Sequence, residues 1–427
     1  MKLEINNAHI VDPANQLNKV TNLYVNNQTI AAVDKSPEDW HADEVIDAKG
    51  CYLFPGLVDI ATRLREPGHE HKATIASETY AAISGGITSV ACLPDTDPTI
   101  DTPAEVELIQ QRAQSAGHCN VYVIGALTTN LEGNMLSEMA ALKQAGVVGV
   151  SNVLHPMANN LVQRRAMEYA SSQNLTLFYH PMDHDLAANG CVHEGMFATR
   201  AGLAGIPTAA ETAAVGSCLA MIEQTGIRVH FCRLSTQRAL QMLERAKFDG
   251  APISADVCAH QLFLSDHDII GFDSNYHVIP PLRSHTDIAG LRHRLSSDII
   301  VSVCSDHQPH ERDAKLAPFA STEAGISALE TLLPLAMQLV KDEVISLVNM
   351  ISLMTHMPAD LLNIKAGTLT PGHNADLCLY NPNIEWRLTP ENMHSRGKNT
   401  PFLNRTFKGK VTHTFVSGKL VYQSQYD

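Results

Sequence analysis

At 427 residues the chain could hold two or three domains of about 150 residues, although a β/α barrel alone can absorb about 250. Its 31 Lys and Arg against 45 Asp and Glu give a net charge of −14 with no basic block or stripe, so nucleic acid and anionic membrane are poor partners. Hydrophobic residues reach 44%, yet no run approaches the roughly 20 uncharged apolar residues of a membrane span, and nine cysteines without CxxC or finger spacing fit a reduced, cytoplasmic setting better than a disulfide framework.

Period-two alternation in KLEINNAHIVD and NLYVNNQTIAAVD, with Asn-rich turn signals between, predicts strands over residues 1–55. The first residues bring a charge at once and no apolar h-region, so a secretion signal is not expected. From Leu57 to Asp306 one unit recurs, an apolar run ending in a polar residue and followed by a helical pattern and a Gly-containing turn. The eight runs begin at Leu57, Ile87, Asn120, Gly146, Thr176, Arg228, Pro252 and Ile299. Each is near-continuously apolar, as expected of strands covered on both faces. Helices are predicted from Ala104, Met135 and Thr212. Eight such units predict a (β/α)8 barrel over residues 56–365. Alternation returns in ADLCLYNP from Ala375 and in VTHTFVSGKLVY from Val411, the latter a hairpin around Ser417 and Gly418. Residues 1–55 and 366–427 are each too small for a core of their own, so they are expected to pair into one small β-sandwich beside the barrel.

A β/α barrel builds its site where the strands end. The residues closing the runs are Arg63 and Arg65, Asp95, Asn152, His180 and Asp183, Arg233, His260, and Asp306 with His307 and His310. Singly, each reads more readily as a loop residue than as a catalyst; their coincidence at one rim makes them candidates.

RLREPG at Arg63–Gly68, LPDTDP at Leu93–Pro98, GIPTAAE at Gly205–Glu211, IPPLR at Ile279–Arg283, SDHQPH at Ser305–His310 and NTPF at Asn399–Phe402 follow one another in an order that resembles the dihydroorotases, cyclic amidohydrolases of pyrimidine biosynthesis. The resemblance covers nearly the whole chain. It implies the same barrel with a split β-domain, Asp306 as the catalytic base, Arg65 as the clamp on the substrate carboxylate, and Asp95 and His310 beside the substrate. In active relatives zinc is held by a His-x-His after strand one, a bridging carboxylate after strand four, and histidines after strands five and six.

At those positions this chain has Ala61 and Arg63, Asn152 and Val153, His180, and Arg233. One His remains of four. A guanidinium is permanently charged and repels a cation, so no zinc is expected. Asp95 stands where the family has Asn, placing negative charge where an anionic substrate wants a donor. A second His-x-His, His69-Glu70-His71, lies a few residues downstream in a loop and would have to swing back to contribute.

The resemblance therefore implies a pseudoenzyme, similar to the inactive dihydroorotase-like subunit that holds together the catalytic chains of aspartate carbamoyltransferase in some bacteria, and an oligomer is expected. The alternative is an active amidohydrolase with a remodelled site; a small-molecule sensor using Arg65 and Asp95 is compatible with the scaffold. Without metal, Asp306 would be a buried charge in need of a partner. Arg63 or Arg233 is expected to reach it, with His180 alongside.

Overall fold

In the computed structural model, which describes residues 1–269 and 271–425, the alternating N-terminal segment forms β1 (Lys2–Asp12), β2 (Leu17–Asn26), β3 (Thr29–Val33), β4 (Glu44–Asp47) and β5 (Tyr52–Pro55). In β1 the alternation buries Leu3, Ile5, Ala8 and Ile10. Its break in period coincides with a register shift against β2 between Ile5 and Ala8. There Asn7 takes a φ of 59°, which Asn tolerates and which returns the strand to its buried face.

The eight apolar runs supply the barrel strands: β6 (Leu57–Thr62), β7 (Ile87–Cys92), β8 (Asn120–Ala126), β9 (Gly149–Ser151) and β10 (Leu177–Tyr179). After a small pair, β11 (Val192–His193) and β12 (Gly205–Ile206), come β13 (Val229–Phe231), β14 (Ile253–Cys258) and β15 (Ile300–Cys304). They pair in parallel from β6 round to β15 in chain order, without β11 and β12. The ring closes through a parallel bridge between Thr62 and His307, with His307 N donating to Ala61 O and Arg63 N to His307 O, both at 3.0 Å. Every residue of β6 and β7 is buried, as strands between a helical layer and a packed barrel interior must be.

The chain returns through β16 (Leu377–Arg387), β17 (Thr406–Val416) and β18 (Lys419–Gln423). β16 pairs antiparallel with β5, so both chain ends build one mostly antiparallel sheet, β18-β17-β16-β5-β1-β2-β3, with β4 beside β1. Leu3, Ile5, Leu23, Leu377 and Phe415 form its core, and the β17–β18 hairpin turns at Ser417 and Gly418, both at positive φ.

Two predicted helices are found almost as expected, Pro103–Ala116 and Thr208–Thr225. The third begins later, at Met139, because Thr129 N donates to Met135 O at 2.9 Å and Thr128 bridges to Leu136, which keeps Met135 and Leu136 extended. Among the described residues no helix is long and apolar enough to cross a membrane.

The closure after β15 is locked by a buried acid on the helix Ile75–Ser84. His307 Nδ1 accepts from Ala328 N at 3.0 Å, so Nε2 carries the proton and donates to Glu78 Oε2 at 2.7 Å. Ser395 Oγ, at 2.6 Å, donates to the same oxygen, tying residues before β17 to the barrel. Burial pushes the Glu78 carboxyl up, but the His307 imidazole and the hydroxyls outweigh it and hold it below the ordinary value. That stabilisation is present above the unfolded pKa of about 4.3 and is lost as pH falls through the depressed folded value. Glu78→Ala is expected to cost about 3 kcal/mol in urea unfolding at neutral pH. Glu78→Gln should flatten the loss of stability between about pH 5 and pH 3, and an unchanged acid limb would show that Glu78 is not its source.

Candidate functional site

Arg63 and Arg65 follow β6, Asp95 follows β7, Asn152 and Val153 follow β9, His180 follows β10, Arg233 follows β13, His260 follows β14, and Asp306 and His310 follow β15, so one barrel rim carries them all. At its centre Asp306 and Arg233 are each 2% exposed. Arg63 Nη1 donates to Asp306 Oδ1 at 3.4 Å, and Arg233 Nε stands 3.7 Å from the same oxygen. Gln308 Nε2 donates to Asp306 Oδ2 at 2.9 Å. Both arginines thus supply the expected positive charge. His180 does not join them: neither of its ring nitrogens has a hydrogen-bond partner among the described residues. Burial, Arg233 and Arg63 hold its imidazole well below the usual pKa, hence neutral.

The residues expected beside a substrate are also engaged within the protein. Asp95 Oδ2 accepts from Arg63 Nε at 2.5 Å; burial pushes that carboxyl up, and Arg63 and Arg65 hold it below its ordinary range. Arg65 donates through Nε to Pro309 O and lies with Nη2 against His310 Nε2, both at 3.0 Å. Burial and the neighbouring Arg63 lower the Arg65 guanidinium to about 10, while burial and Arg65 lower His310 to about 2. The clamp is therefore occupied by the protein's own groups. Asn399 of the NTPF run holds His310 in place, accepting from His310 N at 2.8 Å and donating to Gln308 O at 2.9 Å.

Backbone conformation marks the same rim. Arg65, Val153, Arg233 and Asp306 all have φ between 47° and 65°, a region costly for side chains other than Gly and out of place for a β-branched Val. Hydrogen bonds hold these turns: Arg233 N donates to Asp256 Oδ1 at 2.6 Å, Val153 N to Ser151 Oγ at 2.9 Å, and Ser305 N to Asp59 Oδ1 at 2.8 Å. Asp59 and Asp256 were not among the candidates. Their signal was available as an acid inside an otherwise apolar strand, LVDIAT and ISADVC.

Zinc does not fit this rim. Of the positions that resemblance assigns to the metal, only His180 carries an imidazole or a carboxylate, and two guanidiniums face Asp306 beside them. His69 and His71 stay in their loop, rings edge-on at 6.1 Å, with Glu70 paired to Arg112 at 3.3 Å. A second potential ligand group, His230, Cys232 and Asp256, lies buried on and beside β13 and β14. Its donors are engaged: His230 Nε2 is 2.9 Å from Asp256 Oδ2, and Nδ1 is 2.8 Å from Ser254 Oγ. The rim also holds a cavity of about 390 Å³, displaced to the ends of β9 and β10 and lined by Asn152, Val153, Gln163, His180 and His184 among others.

A family model described as Dihydro-orotase-like matches residues 50–239. The chain is 43% identical over 423 residues to a dihydroorotase-like protein of Pseudomonas aeruginosa, covering 99% of this chain and 100% of that one. It is 40% identical over 427 residues to a dihydroorotase of Syntrophus aciditrophicus, with the same coverage. Among solved structures it superposes on an L-hydantoinase (dihydropyrimidinase) from Arthrobacter aurescens with a TM-score of 0.88 at 21% identity, covering 99% of this chain and 96% of that one; at that identity the likeness is one of fold.

Removing one cation from the centre should expose how strongly its charges are coupled. Arg63→Met is expected to cost about 3 kcal/mol, because it removes the cation bonded to Asp95 and leaves Asp306 with Arg233 and Gln308 alone. In an Asp306→Asn background the same substitution should cost at least about 1 kcal/mol less. Strict additivity in a urea double-mutant cycle would show that the contact contributes no coupling.

Proposed function

The chain belongs to the dihydroorotase-like family, and on that premise we propose that it is a catalytically silent member whose role is to scaffold the catalytic chain of aspartate carbamoyltransferase in pyrimidine biosynthesis. One observation carries the silent half of this reading: two guanidiniums lie within 4 Å of Asp306, where an active relative needs a cation and a free base. Zinc lowers the pKa of bound water to about 7. Here the rim positions do not supply the donors zinc needs, and Asp306 already accepts from Arg63 and Gln308. Arg65, engaged by Pro309 and His310, does not offer a free carboxylate clamp.

The scaffold half is supported by what the chain keeps. The whole barrel and terminal sheet persist, at 99% coverage of relatives named dihydroorotase-like, while the centre holds internal ion pairs. A fold retained without its chemistry suits a chain needed for its shape. The second reading, an active dihydroorotase with a remodelled site, is favoured by full-length identity of 40% and 38% to proteins named dihydroorotase. It requires both arginines to withdraw from Asp306.

Purified protein is expected to contain well below one equivalent of zinc and to turn over neither dihydroorotate nor carbamoyl aspartate, with or without added zinc. Stoichiometric zinc together with turnover would overturn the silent reading. Co-expressed with the transferase catalytic chain, it should co-elute as one larger species. Separate elution at micromolar concentration, with a transferase that assembles and works alone, would overturn the scaffold.

A further inference from the structure

The segment after His310 folds back on the end of β15 and returns a carboxylate to it. It passes through short 3-10 turns at Arg312–Lys315 and Phe319–Ser321 to Glu323, whose N donates to Ala314 O at 3.0 Å, and rejoins the barrel where Ile326 bridges to His307. Gly325, at a φ of 137°, permits the close return: a Cβ there would come within 2.5 Å of the Gln308 side chain and 3.1 Å of His310 Nε2. The Glu323 side chain is 50% exposed, yet its Oε2 rests on buried groups, ion-paired to Lys72 Nζ and 3.2 Å from His310 Nδ1, whose side chains are only 9% and 2% exposed. Arg65 lies on the far side of that imidazole, with Nη2 3.0 Å from His310 Nε2.

Charge accounts for this placement. Among the described residues Lys72 pairs with no other acid, and Arg65 bonds to Pro309 O and His310 rather than to a carboxylate. Two cations are therefore buried side by side, and a buried cation is costly unless an anion answers it. Burial pushes the Glu323 carboxyl up, but Lys72 and Arg65 outweigh it and hold it below its ordinary value. The anion thus comes from a side chain that solvent still reaches, on a turn outside the barrel strands, while its partners are fixed beneath it.

We propose that Glu323 is an autoinhibitory cap, a tethered carboxylate that occupies the cationic surface of Lys72, His310 and Arg65 and keeps a small carboxylate in solution from reaching it. A tethered group competes at an effective concentration in the millimolar range or above, so a free carboxylate of ordinary weak affinity is excluded until Glu323 swings out. The inference depends neither on a silent centre nor on the transferase as partner. Its test reads binding rather than turnover or assembly, so its failure leaves those readings standing.

The test compares the full chain with Glu323→Ala and Glu323→Ser, following the melting temperature in malonate against sodium chloride of equal ionic strength. The parent should show no saturable response up to about 50 mM malonate. Each variant should melt a few degrees lower in chloride and regain that loss at millimolar malonate, saturably. Adding Lys72→Gln to Glu323→Ala should weaken the malonate response by about 10-fold, since a charge-assisted contact is removed. Should the doubly substituted chain fail to fold, the contrast between the parent and the single variants decides alone. The proposal is overturned if parent and variants respond alike, if neither single variant responds up to about 50 mM malonate, or if the folded double variant responds as strongly as Glu323→Ala.

Discussion

Three segments of chain, distant in sequence, converge on a single carboxylate oxygen: Asp306 Oδ1 meets Arg63 from the end of β6 and Arg233 from the end of β13. Removing one partner of a buried ion pair is strongly destabilising, because the remaining charge has lost its solvent and its counter-charge together. That constraint orders the rest of the rim. Arg63 answers Asp306 and Asp95 at once, and Arg65 is left to satisfy itself on Pro309 and His310.

Beneath this layer the strand ends keep an architecture suited to a more demanding site. Left-handed residues after β6, β9, β13 and β15 aim side chains across the barrel mouth, and Asp59, Ser151 and Asp256 hold the adjoining backbone N–H groups. A backbone in a costly conformation persists only when its surroundings over-determine it. Here the surroundings are second-layer hydrogen bonds, which do not depend on what the rim side chains carry. Val153 sits in such a turn without any side-chain reason of its own.

Functional consequences follow from where the free groups remain. The central rim is electrostatically closed on itself, while polarity without partners survives to one side, around His180. Chemistry at the centre would require breaking buried ion pairs.

Much of the fold was legible in the sequence because it rests on local periodicity. Continuous apolar runs from Leu57 to Ile299 mark strands buried on both faces, and the alternation of KLEINNAHIVD and VTHTFVSGKLVY marks the terminal sheet, since side-chain direction along a strand is fixed by the backbone itself. The residue types at the ligand positions were equally legible: Ala61, Arg63, Val153 and Arg233 offer no imidazole or carboxylate. Tertiary structure alone decided the pairing: both guanidiniums share Asp306, Asp95 goes to Arg63, Arg65 goes to His310, and His180 has no hydrogen-bond partner among the described residues. Residue type sets what charge a position carries, but which charge it meets depends on the barrel closing, which brings residues more than two hundred positions apart within a few ångströms.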